Sequence, residues 1–227
     1  MNRACAGSCY ELGEHMLRLP RGLVHKGAIV TGGCLLAASS GCSPLSPLDS
    51  SDDTTTAVSY VGTAAGTDAI VGALVGRGEI DLYVCGGAAT VTMLTAWLYG
   101  SVAEGDQLSA SDEGWSATGT VGAEAIDGVL VTPAGKDMPF SAQRVVEETI
   151  AGVYGTIDSA CRTGVIISQG SVEEEPTMQG SWCDESGIRE QVIPILPIAN
   201  GPEGVAVGIT QPQGMSTLFV QRVTHTR

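Results

Sequence analysis

From Val58 onward, no stretch of this chain repeats its apolar residues at helical spacing, and nothing else in it constrains the fold as strongly. Short runs of β-branched and apolar residues alternate with Gly, Asp and Pro, the pattern of strands joined by close turns. "AIVGALV" (69–75) meets the turn "GRGE" and continues as "IDLYVC" (80–85). "TVTMLTAWLY" (90–99) is apolar on both faces, with Val91, Met93, Trp97 and Tyr99 on one and Leu94, Ala96 and Leu98 on the other. That predicts a central strand buried on both sides. "SDEG" (111–114) precedes "WSATGTV", where Trp115, Ala117, Gly119 and Val121 alternate with polar residues, as a half-solvated strand does. "IDGVLV" carries Asp127 and Gly128, which read as a hairpin turn because Gly tolerates positive φ. "AGKD" (134–137) then turns into "MPFSAQRV". The expected fold is all-β: an antiparallel meander forming a barrel or a sandwich. Only "QRVVEETIAG" (143–152) has room for a helical turn, and Arg144, Glu147 and Glu148 there read as a solvated face.

The second half repeats the style of the first. "GVYGT" (152–156) resembles "SYVGT" (59–63), and "VTPAGKDMPFSAQRV" (131–145) aligns without gaps over "ITQPQGMSTLFVQRV" (209–223). Both of the longer segments end in Gln-Arg-Val and close their half of the chain, as a duplication would give. Two related β halves, 58–147 and 148–227, are therefore expected. Arg144 and Arg222 would take matching places, with turns at Pro133–Asp137 and Gln211–Gly214.

The segment before Val58 is different. Arg18, Arg21 and Lys26 precede "GAIVTGGCLLAA" (27–38), a positive region followed by a short apolar one. The apolar run falls short of the about 20 residues that a spanning helix needs. Ser39, Ser40 and Gly41 then lead into Cys42, and "SPLSPLDSSDDTTT" follows, too poor in apolar surface to order itself. Residues 18–42 resemble the lipobox signal of bacterial lipoproteins. The resemblance implies cleavage before Cys42, a diacylglyceryl group on its thiol, and a flexible tether over 42–57. Gly41 and Ser40 fit the family's pattern, while Ser39 stands where Leu is usual. Ser43, a non-acidic residue after the lipidated cysteine, implies outer-membrane sorting if the cell is Gram-negative. The alternative is an ordinary secretory signal over 1–41, cut near Ala38 to Gly41. Glu11 and Glu14 suit a leader poorly, so translation is expected to start at Met16 or later. The remaining chain resembles exported β domains of high-GC bacteria, a likeness that implies no activity.

The chain carries 25 Asp plus Glu against 11 Lys plus Arg. Nucleic acid needs a basic surface, so no nucleic-acid partner is expected. The membrane is expected as a partner through the lipid anchor, with a protein or glycan partner beyond it. An exported domain meets an oxidising compartment. "RTGVIISQ" and "TMQGSWC" read as two arms of a hairpin, and symmetry about position 172 sets Cys161 opposite Cys183 as a disulfide. Cys85 is left as a free, buried thiol.

Catalytic chemistry has few candidates. Of three histidines, His15 and His25 fall in the leader, leaving His225 near the C-terminus. A thiol or hydroxyl nucleophile therefore lacks a base. The sequence has no GxSxG, HExxH, GxxxxGK[ST] or CxxC, and neither a metal nor a cofactor is expected. Acids such as Asp112, Glu113, Glu173, Glu174 and Glu175 cluster in turns, where they are normally solvated. Trp97, Tyr99, Trp115 and Trp182 are either core pieces or a ligand face, because such rings stack on sugars and apolar ligands alike. The expectation is a lipid-anchored envelope protein acting as a non-catalytic binding or structural module. The alternative is a hydrolase acting on glycans through two carboxylates, which would need a pocket holding both about 5–10 Å apart.

Overall fold

Eight short runs of the first half become eight strands. These are β1 (Val58–Ala64), β2 (Ile70–Gly76), β3 (Glu79–Cys85), β4 (Ala96–Ala103), β5 (Gln107–Asp112), β6 (Trp115–Val121), β7 (Ala125–Val131) and β8 (Asp137–Arg144). Each pairs antiparallel with the next, and β8 returns to β1, with Tyr60 opposite Arg144, so the sheet closes into a barrel. The computed structural model describes residues 57–156, 162–183 and 187–224. The leader, the lipidation expectation at Cys42, the tether up to residue 56, Cys161 and His225 lie outside these residues.

Turn chemistry sets the barrel's hairpins. Arg77 and Gly78 have φ of 56° and 76°, and Glu113 and Gly114 have 46° and 85°. Two successive positive φ values make the turn whose twist matches that of the flanking strands. Alternation then sorts the side chains. Ile80, Leu82 and Val84 of β3 and Ala96 and Leu98 of β4 point into the barrel, where they meet Trp115, Ala117, Ile126, Leu130, Met138 and Ala142. An eight-stranded barrel is just wide enough for side chains to fill.

The second half supplies β9 (Gly152–Thr156), β10 (Thr163–Ser168), β11 (Thr177–Cys183), β12 (Arg189–Gln191), β13 (Ile193–Pro194), β14 (Asn200–Gly201), β15 (Gly204–Gln211) and β16 (Gly214–Arg222). Their order is β12-β11-β10-β9-β16-β15-β13, with β14 beside β15. The segment 189–194 pairs with β11 at its start and with β15 at its end, which nearly closes this sheet into a second barrel. Tyr154, Val165, Ile167, Trp182, Val205, Val207 and Val220 fill its interior.

The two halves share a third core. Leu74, Tyr83, Cys85 and Trp97 point outward from the barrel and pack on Val153, Ile166 and Val223 of the second sheet. This seam is why "AWLY" reads as apolar on both faces: Leu98 faces the barrel interior and Trp97 the seam.

Two sequence expectations are corrected. Residues 90–95 are not strand, because the chain from Gly87 to Leu94 makes helical turns, with the Val91 and Leu94 amides donating to the Gly87 and Thr90 carbonyls. Asp68 accounts for this: its carboxylate accepts from the Thr90 hydroxyl and from the Gly87 and Ala89 amides. Asp127 and Gly128 do not turn either. They lie inside β7, with Gly128 opposite Gly119 on one side and Phe140 on the other. A Cβ on Gly128 would lie 2.7 Å from the Phe140 ring, so the glycine makes room for an aromatic ring and not for a turn.

The matched hairpins occupy corresponding places. β7–β8 ends the first half and β15–β16 ends the second, and each last strand pairs with its half's first strand. Arg144 faces Tyr60 across one closure and Arg222 faces Tyr154 across the other. Their loops differ, spanning 132–136 in one and only Pro212 and Gln213 in the other, which shifts the register between them.

Candidate functional site

Among the described residues, chemistry gathers in two places. The first is the seam. Tyr83 and Trp97 stack with centroids 4.5 Å apart, and the Arg162 guanidinium lies 3.7 Å over the Trp97 indole. Arg162 Nη1 donates to the Tyr99 hydroxyl at 2.9 Å and stands 4.0 Å from Asp81 Oδ2. The Tyr83 hydroxyl donates to the Gly164 carbonyl at 3.0 Å and lies 2.9 Å from Ser181 Oγ. A Cβ at position 164 would fall 2.4 Å from the Tyr83 ring, so the absence of a side chain there lets the two sheets approach. Burial, chiefly, holds the Tyr83 hydroxyl well above its ordinary range, with the Cys85 thiol adding to the shift.

Cys85 sits at the same seam with none of its surface exposed. Among the described residues it is the free cysteine. Burial pushes its thiol up to about 11, so at neutral pH it carries its proton and is a poor nucleophile. Cys183, the last residue of β11, is buried and is not a free thiol. β10 and β11 form the two arms of one hairpin, with Gly164 facing Ser181. The pairing itself involves Cys161, which lies outside the described residues.

The four candidate rings divide. Trp97 and Tyr99 come together at the seam around Arg162. Trp115 is in the barrel core and Trp182 in the second core, at 7% and 6% exposure. The structure therefore makes no single aromatic face from them, and packing absorbs most of their surface.

The second place is an open pocket of about 640 Å³ at one mouth of the second sheet. The link between the halves forms one wall with Glu147, Glu148, Thr149 and Ile150; Tyr154, Gln169 and Arg222 come from or beside the strands, and Ile198 and Asn200 from the stretch before β15. The link is held down by backbone anchoring. Thr149 Oγ1 donates to the Val146 carbonyl at 2.7 Å, and the Ile150 amide donates to Gln169 Oε1 at 3.1 Å. The Tyr154 hydroxyl donates to the Ile150 carbonyl at 2.7 Å, and Arg222 Nη2 donates to the Ala151 carbonyl at 2.6 Å. Arg222 also lies 5.6 Å from the Tyr154 ring.

This pocket offers two carboxylates, a guanidinium and two amide side chains beside Ile150, Tyr154 and Ile198, which suits a ligand bearing both donors and acceptors. Glu147 and Glu148 are neighbours in sequence, and Glu147 is 84% exposed and 3.6 Å from Arg144. Among the described residues, no three His, Cys, Asp or Glu side chains are grouped to hold a metal ion. In sequence Glu147 and Glu148 read as a solvated face, with nothing to join them to Arg222. The available signal was the recurrence of Tyr near the start and Arg near the end of each half. No family model matches this chain, and no curated protein and no solved structure matches it either.

Proposed function

We propose that this protein is a binding module of the cell envelope, carried on a lipid anchor at Cys42, and that its second half presents the binding site. The open pocket bordered by Glu147, Glu148, Asn200 and Arg222 is the observation that carries the binding reading. Its mixed charge and its width favour a polar ligand rich in hydroxyl or amine groups, such as a glycan or a short peptide segment. The exposure of Glu147 favours binding over hydrolysis. The anchor rests on the lipobox-like residues 18–42, and the Pro-, Ser- and Asp-rich stretch after Cys42 would serve as the tether. A two-chain lipid gives stable attachment where one acyl chain binds only marginally.

Two experiments test the two parts. In cells, Cys42→Ser should abolish lipid labelling and release the protein from the membrane fraction; unchanged labelling ends the anchor. Binding of the protein to envelope oligosaccharides and cell-wall peptides, measured by calorimetry, should weaken at least about tenfold in Glu148→Gln and Arg222→Gln. Ligand binding that both substitutions leave untouched places the site elsewhere. Release of shorter sugars from the bound oligosaccharide would return the hydrolase reading.

A further inference from the structure

We infer that this protein associates with a second copy of itself through the outer face of β13, β15 and β16. Alternation places Val205, Val207 and Ile209 of β15 and Leu218 and Val220 of β16 in the interior of the second sheet. The opposite face then carries Ala206, Gly208, Met215, Thr217 and Phe219, joined by Ile193 of β13, which pairs directly with Gly208. Gly208 confirms that Ile193 and Met215 share this side: a Cβ built on it would lie 3.2 Å from Ile193 Cβ and 3.3 Å from Met215 Sδ. Met215 is 69% exposed, Phe219 43% and Ile193 42%. Contiguous apolar surface of this kind marks an interaction site more often than a bare surface.

Two observations select the occupant. The first is continuity. On β9 and β10, the outer face of this same sheet is buried against the barrel, through Val153 and Ile166. Its β13–β15–β16 part leaves Ile193, Met215 and Phe219 exposed, so a face that packs on a β surface at one place is open at another. The second is charge. The chain has a net charge of −14, yet between Glu190 and Arg222 its only charged residue is Glu203. A cationic partner would be drawn to the acidic surface and away from this face. Two copies repel each other wherever their acids meet, and this neutral face is where they can approach. Depletion of charge at the core of a contact is the compositional mark of a protein interface.

Sedimentation equilibrium tests this, with the wild type expected at twice its monomer mass. Met215→Glu with Phe219→Glu should weaken association at least about 100-fold, because each buries an unpaired charge. Added salt should strengthen wild-type association, since it screens the acidic repulsion and leaves the neutral contact intact. Thr217→Arg provides a second variant, and circular dichroism melts of all variants establish that they fold. A wild type that stays monomeric at about 100 μM overturns the proposal, that being well above typical dissociation constants for specific contacts. So does association that persists in folded variants. Binding to phosphatidylcholine vesicles by a monomeric wild type, lost in the same variants, also overturns it and assigns the face to lipid.

Discussion

Tyr83 and Cys85 lie on the outward face of β3, and the second sheet buries both, so each resists ionisation for the same reason. The folded Cys85 thiol keeps its proton up to about 11, whereas an unfolded one loses it near 9. Between those values the unfolded state binds fewer protons, so stability is fully present below about pH 9 and falls as pH rises toward 11. The loss from this one group approaches about 3 kcal/mol. Urea midpoints at pH 8 and pH 10.5 should fall less in Cys85→Ala than in the wild type; an equal fall would assign the alkaline sensitivity to Tyr83 and Tyr60. Native Cys85 should also ignore an aromatic disulfide reagent that labels it fully in denaturant. Asp68 has the opposite sign. The Thr90 hydroxyl first, and the Gly87 and Ala89 amides after it, hold its carboxyl below the ordinary aspartate value. Its contribution is present above about pH 4 and is lost as pH falls through the lowered value. Exchange protection of the Val91 and Leu94 amides should therefore drop in acid, and Asp68→Asn should lower it already at pH 6. Equal protection in the variant would show that the loop does not depend on the carboxylate.

At the scale of elements, most strands were legible because their two faces meet different surroundings. Trp115, Ala117 and Val121 alternate against a barrel core on one side and water on the other, and β6 falls where the period-2 pattern put it. The errors have local causes that periodicity does not carry. Val91 to Leu94 are apolar enough for a strand, but Asp68, 22 residues earlier than Thr90, captures the backbone of that stretch. Gly128 looked like a turn residue because sequence cannot show that Phe140 lies across from it. The candidate pocket was harder still, because it joins a link, two strands and a loop whose nearness depends on how the second sheet closes. Gly164 tests the seam at this scale. Gly164→Ala would push a methyl into the Tyr83 ring, and overpacking of this kind costs about 1–3 kcal/mol. Tyr83→Leu in the same chain should recover part of that loss, through the coupling that residues in contact show. Additive losses in the double variant would mean that the two positions do not meet.

For the molecule as a whole, the question is whether the two halves fold as one. Each has its own core, and in each the last strand lies against the first, with Arg144 opposite Tyr60 and Arg222 opposite Tyr154. Either core could in principle hold alone. What joins them is the shared seam, where Tyr83, Trp97, Val153 and Ile166 are all at least nine-tenths buried. Truncating a buried aromatic costs about 3–5 kcal/mol, and removing Tyr83 also leaves the Gly164 carbonyl and Ser181 Oγ without their partner. The wild type should therefore melt in a single calorimetric transition, with matching calorimetric and van't Hoff enthalpies. Tyr83→Ala with Ile166→Ala should split it into two. The second sheet should go first, because β12, β13 and β14 are only 3, 2 and 2 residues long, whereas the barrel closes on itself through full-length ladders. The pocket lies at the mouth of that second sheet, so ligand binding should be lost with the lower transition while the barrel's ellipticity persists. A single transition in the double variant, merely shifted to lower temperature, would show that the halves are one cooperative unit whose coupling does not run through the seam.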